Sequence, residues 1–458
     1  MSVKQENVKW VDGLRGFASL LVVLTHIARS FDEALFLPAS AEGAKPRVAQ
    51  WPFIRILFQG RVGVHIFALV TGYVCALKPI RQCRAGQQEA MFSGISKSAF
   101  RRVPRLVLPT TIATTLIWFV TQFGVFEVGT RVEGWWLNFT SPKMTPFIGK
   151  AVKTLLINGI TTWTKSWNIY DNNQWTLLPL LKGSMLVYMM LIATAYVKPR
   201  YRMMASFGMF IYYYISNDPV FGMQFFFGMF LSDLSQSPSH TAWCQARKWP
   251  SRIISPIFIL FGLYLASYPE DKAQWAYWST KMGHYSVWIF PEGNDTPRFY
   301  SAIGLEFAAL GIHFSPSVKN FLSNRYLLYF GKNSFAVYLI HGSLLRSVLV
   351  WMYFGFSTPA DIVHADGHRE PGPNLKLCGN ARFFFWLPIW FVMLYTCAHY
   401  WTKFVDPWCA RLTEKWVKYT FDTPPPVLPK EERRPDPPTK TESEKPLLEG
   451  IVEGSASK

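Results

Sequence analysis

Apolar residues in this chain fall into runs of roughly 15 to 25, broken by short polar stretches, with neither the strict alternation of a strand nor the narrow stripe of a surface helix. A helix needs about 20 apolar residues to cross a bilayer. The runs therefore predict spans near residues 11–28, 60–77, 106–124, 175–197, 203–216, 219–234, 253–268, 298–314, 328–352 and 382–404. Segments 203–216 and 219–234 are short, and they fit one broken or re-entrant pair as well as two crossings. The expected fold is an all-α polytopic integral membrane protein with about ten transmembrane helices.

Loop charge tests that count independently. With a cytosolic amino terminus, loops 78–105, 198–202, 235–252 and 315–327 face the cytosol. The first carries Lys78, Arg81, Arg84, Lys97, Arg101, Arg102 and Arg105 against Glu89, and the other three carry only basic charge. This is the positive-inside pattern, and it puts both termini in the cytosol. The opposite loops, 29–59, 125–174, 269–297 and 353–381, are longer and more balanced. Both N-x-[ST] sequons, at Asn138 and Asn294, fall on that side, as lumenal glycosylation in the endoplasmic reticulum or another endomembrane requires.

Composition removes other classes. Half of the 458 residues are hydrophobic and only 17% are charged, against about 25% in an average soluble chain. The net charge of +18 sits in the short loops, so it points to topology and anionic lipid headgroups, not to nucleic acid. The six cysteines form no CxxC pair, which argues against a disulfide framework or a metal site. No small-residue cleavage site follows the first apolar run, so it is expected to remain as an anchor. The chain divides into a short cytosolic amino terminus (1–10), a transmembrane domain (11–410) and a Pro-, Lys- and Glu-rich tail (422–458) expected to be disordered.

Ionisable residues inside apolar spans are the candidate chemistry, because a charge near the bilayer centre is costly unless it has a function or a partner. Arg15 and His26 lie eleven residues apart in the first span, which puts them on one helix face separated by roughly 16 Å. Gly13 and Gly16 beside them let another helix approach closely. A bland alternative exists for both, since Arg15 can snorkel to the headgroups and His26 can belong to the far interface. Glu306 in the eighth span and His341 in the ninth are further candidates.

The segment "DGLRGFASLLVVLTH" (12–26) resembles the opening motif of the acyltransferase-3 family, an Arg followed by ten residues and a His. Four more elements are similar to that family in order: "GRVGVHIFALVTGY" (60–73), "RRVPRLVLP" (101–109), "QWTLLPLLKGSMLVY" (174–188) and "YFGKNSFAVYLIHGSLL" (329–345). The resemblance covers nearly all of the membrane body. It implies an enzyme, an acyltransferase that moves an acyl group, commonly acetyl, from acyl-CoA to a hydroxyl. Acyl-CoA would be a co-substrate, with no permanently bound cofactor.

Carried over by position, His26 would be the general base on the acceptor hydroxyl, a role that suits an imidazole. Arg15, Arg102 and Arg105 would hold CoA phosphates, with Arg102 and Arg105 on one face if their loop is helical. His341 and Trp175 would line the acceptor site. In one place the chain departs from the pattern: family members often carry a Glu five residues after the Trp of the WTL motif, and Leu180 stands there. Asp171 and Glu306 are the nearest acids by type, and Glu306 is the better substitute because it lies within a span. The lumenal sequons and the Pro-rich tail favour a fungal-type enzyme acting on a small natural product. A cell-surface glycan or lipid acceptor is the alternative, and a non-catalytic transporter or lipid-binding protein is the alternative from another class.

Overall fold

The computed structural model describes residues 6–364, 369–377 and 379–421. The tail from 422 and the start of the amino terminus lie outside the described residues. Helix α1 (Glu6–Phe31) is followed by α2 (Arg61–Arg84), α3 (Gln88–Thr121), α4 (Trp135–Thr140), α5 (Ile148–Thr164) and α6 (Leu177–Ala193). Then come α7 (Pro199–Ile215), α8 (Gly222–Ser235), α9 (Pro238–Ala246), α10 (Ser255–Ala266), α11 (Tyr277–Ile289) and α12 (Thr296–Phe314). The rest comprises α13 (Pro316–Leu322), α14 (Arg325–Leu344), α15 (Val350–Phe354), α16 (Asn380–Tyr400) and α17 (Asp406–Thr420). The described strands are two residues each, Ile362–Val363 paired antiparallel with Arg369–Glu370.

Each expected span falls on a helix, and the architecture is that of an all-α membrane protein. Large apolar side chains stay exposed on several long helices, such as Leu116 and Phe119 on α3, Met189 on α6 and Phe384, Phe385 and Val392 on α16. So much apolar surface is sustainable against lipid and not against water. By length and composition six of the described helical segments can cross a membrane, or seven when the bent α9–α10 pair, broken at 84°, is taken as one span. Four expected spans make the difference from ten: α12, with 19 residues, is long enough but not apolar enough, α7 has 17 residues, and α8 and α10 have 14 and 12. At 1.5 Å per residue the last two reach only about 21 and 18 Å.

Three helix pairs pack at glycines. On α1, a Cβ at Gly16 would sit 2.3 Å from the Leu327 carbonyl oxygen, and on α14 a Cβ at Gly331 would sit 2.0 Å from that of Asp12. The same holds between α2 and α8 at Gly72 and Gly228, and between α10 and α12 at Gly262 and Gly304. With no hydrophobic drive between helices in lipid, such close backbone packing is a main source of association. Polar ties add to it. Buried Asp233 on α8 accepts hydrogen bonds from Arg202 on α7 (2.6 and 3.1 Å) and from Arg84 on α2 (3.0 and 2.6 Å).

The α1–α14 contact sets the position of everything that follows. Replacing Gly331 with Leu must push α14 off α1, at a cost of about 1–3 kcal/mol for overpacking. The expected outcome is a clear fall in the melting temperature of the detergent-solubilised protein. Gly149→Ala, where an added Cβ meets nothing within 4 Å, should leave it unchanged.

Candidate active site

Helix α1 carries Arg15 and His26, and α14 carries the groups that meet them. Near the start of α1, Arg15 Nη2 donates to Ser334 Oγ at 3.4 Å and Nη1 lies 3.5 Å from Asp12 Oδ1. Eleven residues on, the His26 ring packs at a tilt of 38° against His341 of α14, with centroids 5.3 Å apart, and at 30° against Trp136 of α4 at 5.0 Å. His341 Nδ1 lies 2.9 Å from the carbonyl oxygens of Val337 and Tyr338. Carbonyls only accept, so Nδ1 carries the proton and Nε2 is left bare. That Nε2 and His26 Nδ1 are both buried without a hydrogen-bond partner among the described residues. Buried polar atoms left unpaired mark places where a ligand or water belongs.

Two cavities lie in this part of the bundle, and His26 lines the smaller of them. The larger, about 560 Å³, is lined along α2 from Phe67 to Gln82, which is about 22 Å of helix. Towards the end of α2 its walls are basic, with Arg15, Lys78, Arg101, Arg102 and Arg105; its other walls include Thr176, Leu180 and Tyr338. The smaller, about 160 Å³, is lined by His26, His65 and Trp175 together with Arg29, Arg61 and Arg298. Trp175 and Thr176 are adjacent in the chain, yet each lines a different cavity. The wall between the cavities is fixed where Tyr338 Oη donates to the Asn173 carbonyl and lies 2.7 Å from Thr176 Oγ1. Tyr338 is three residues before His341 on α14, so one helical turn joins the large cavity to the paired imidazoles.

The structure brings most of the sequence-derived candidates to these cavities. Arg15, Arg102 and Arg105 all line the larger one, and the segment holding the last two is helical, within α3. Arg105 and its neighbour Arg101 reach Glu414 on α17, at 3.1 and 2.7 Å, while Arg102 makes no ion pair among the described residues. His26 and Trp175 line the smaller cavity, and His341 packs behind His26. Arg15 and His26 therefore serve different compartments, although they share one helix.

Glu306 is placed elsewhere. It is buried on α12, where its Oε1 accepts from Gln224 Nε2 at 2.9 Å, and no hydrogen bond joins it to His26 among the described residues. Leu180, where the family often carries an acid, faces the larger cavity. The Nδ2 atoms of both sequon asparagines are engaged, that of Asn138 donating to the Thr130 carbonyl at 2.8 Å and that of Asn294 to the Pro291 carbonyl at 2.7 Å.

Behind His341 stands an ion pair that the sequence named only by halves. Asp171 Oδ1 lies 3.3 Å from Arg346 Nη2, and both side chains are essentially unexposed. Arg346 also donates to the carbonyls of Gly342 (3.0 Å), Tyr170 (3.1 Å) and Thr140. Burial pushes the Asp171 carboxyl up to about 6, against the pull of Arg346. Arg346 was open to the same rule that singled out Arg15, a charge inside an apolar run. Tyr338, Thr176 and Trp136 carried no such signal.

These features define a polytopic membrane protein with a pair of histidines in its interior and a basic cavity nearby. The family model described as an acyltransferase domain, that of the acyltransferase-3 family, matches residues 8–405, and the chain belongs to this family. A relative named O-acetyltransferase PaAT-1, from Phomopsis amygdali, is 27% identical over 381 residues, covering 75% of this chain and 73% of that protein. No solved structure matches the chain.

Removing one partner of a buried ion pair leaves the other uncompensated, at about 3–5 kcal/mol. Arg346→Met is expected to lower the melting temperature strongly, and the double variant Asp171→Asn/Arg346→Met to recover part of the loss. A double variant no more stable than Arg346→Met would show that the pair is not what Arg346 is there to form.

Proposed function

We propose that this chain is a membrane-bound O-acyltransferase that moves an acetyl group from acetyl-CoA to a hydroxyl of a small natural product, in an endomembrane crossed ten times with both termini cytosolic. The observation that carries the proposal is the position of His26, in the wall of the small cavity and in contact with His341, which is one helical turn from Tyr338 in the wall of the large one. Family membership supports acyl transfer, and the name of the Phomopsis relative supports acetyl as the group and oxygen as the acceptor atom.

In this scheme acetyl-CoA enters the large cavity from its basic end. Guanidiniums suit phosphates because their planar donor fork gives charge-assisted hydrogen bonds. Arg15 and Arg102 hold the phosphates, and the pantetheine arm runs along α2 towards Thr176 and Tyr338. The acceptor sits in the small cavity beside Trp175. The thioester reaches the acceptor by displacing the Tyr338–Thr176 contact in the wall; His26 then takes the proton from the hydroxyl, the freed oxygen attacks the thioester carbonyl, and the C–S bond breaks. The proton passes from the imidazolium to the CoA thiolate, so the products are the ester and CoA-SH. Trp136 and His341 hold the His26 ring by packing against it. A neutral imidazole has a lone pair free to accept that proton, which is the role of a general base.

General-base catalysis is worth about 10²–10⁴ in rate. His26→Ala should lower kcat by that order in a CoA-release assay on the purified protein, and should keep acetyl-CoA affinity. Wild-type turnover in that variant would remove His26 from the chemistry. Arg102→Ala should raise KM for acetyl-CoA with kcat held, the signature of lost uniform binding, and Arg102→Lys should recover only part, since Lys lacks the fork. An unchanged KM would place the donor elsewhere.

A further inference from the structure

The small cavity is more cationic than a neutral alcohol requires. Three guanidiniums line it, those of Arg29, Arg61 and Arg298. Two carboxylates answer them: Glu270 accepts a forked pair from Arg29 at 2.8 and 2.7 Å, and Asp295 lies 3.0 Å from Arg298. One positive charge remains unmatched, and the hydrogen bonds identify whose it is. Arg61 uses Nη2 on Gln59 Oε1 (3.1 Å) and on the Tyr268 carbonyl (2.8 Å). It approaches Glu270 only to 3.7 Å, beyond hydrogen-bond reach. Its Nε and Nη1 are buried with no hydrogen-bond partner among the described residues, as are His26 Nδ1 and His65 Nε2 in the same walls. His65 Nδ1 faces the Arg61 carbonyl at 2.5 Å, so its Nε2 is a bare acceptor.

We propose that the acceptor held here is a hydroxy acid, its carboxylate bound by Arg61 with help from Arg298 and its hydroxyl presented to His26. A desolvated guanidinium with idle donors is costly, and a carboxylate meets it with charge-assisted hydrogen bonds. The surplus of one charge matches a monoanion; a phosphate dianion exceeds it. Bare His65 Nε2 accepts from a second hydroxyl or from the acid's own. Trp175 offers its ring face to the carbon skeleton. The acylation at His26 rests on the function proposed above, whereas the binding of a carboxylate does not.

The test uses the full-length protein in nanodiscs with three probes: mandelate, methyl mandelate and phenyl phosphate. Binding is read from tryptophan fluorescence and thermal shift, and acetyl transfer is followed separately with acetyl-CoA. Mandelate should bind more tightly than its neutral ester and than phenyl phosphate. Arg61→Gln should weaken mandelate by about 10- to 100-fold, the worth of a hydrogen bond to a charged group, and leave the ester unchanged. Arg298→Gln, at a half-exposed side chain and therefore mild for folding, should cost a few-fold. Equal binding of acid and ester, tighter binding of phenyl phosphate, or mandelate affinity untouched in both variants would overturn the proposal. Mandelate binding without acetyl transfer would count against the acyltransferase scheme and leave the carboxylate site standing.

Discussion

The rest of the structure depends on how closely α1 approaches α14. Glycines at 16 and 331 bring the backbones together, each under the other helix's carbonyls. With any larger side chain there, the helices would part by the width of at least a methyl group. Two contacts would then open: Arg15 to Ser334 at one end, and the His26–His341 contact at 5.3 Å at the other. In a bilayer, where lipid tails compete equally for apolar faces, this kind of backbone fit decides which helices associate. The candidate residues Arg15, His26 and His341 are thus mounted on closely packed helices and not on a loop.

That placement divides the interior in two. The Tyr338–Thr176–Asn173 hydrogen bonds hold the wall, and Trp175 and Thr176, consecutive on one 3-10 turn where each residue is rotated by about 120° from the last, line different cavities. A separated arrangement suits group transfer from a large, charged donor to a small acceptor. Basic residues collect in the larger cavity, and His26 lies in the wall of the smaller one. The Asp171–Arg346 pair, fixed to three carbonyls, makes the region behind His341 rigid.

Much of this was legible in the sequence, and the reasons differ from residue to residue. Arg15, His26 and Arg102 stand out because charge inside or beside an apolar run is costly, and α1 and α3 bring them where helical periodicity predicts. Arg346 carried the same signal. Tyr338 and Thr176 did not, since a hydroxyl in a span is unremarkable until its partner is known. The arginines of the small cavity, 29, 61 and 298, come from three separate helices at their loop ends, and no local pattern links them. Glu306 illustrates the opposite case: its burial is as costly as expected, but Gln224 on α8 answers it. Crossing number was the least legible quantity, because α8 and α10 are shorter than a bilayer is thick and hydropathy alone does not say how they share it.

In the proposed scheme donor and acceptor occupy separate cavities, with His26 in the wall of the smaller one and the Tyr338–Thr176 contact between the two. An experimental structure of the full-length protein with a non-transferable acetyl-CoA thioether checks this arrangement. The phosphates are expected against Arg15 and Arg102 in the large cavity, the arm along α2, and the acetyl end at Thr176 and Tyr338, with the small cavity still open beside His26. Phosphates bound instead at Arg29, Arg61 and Arg298 would contradict it.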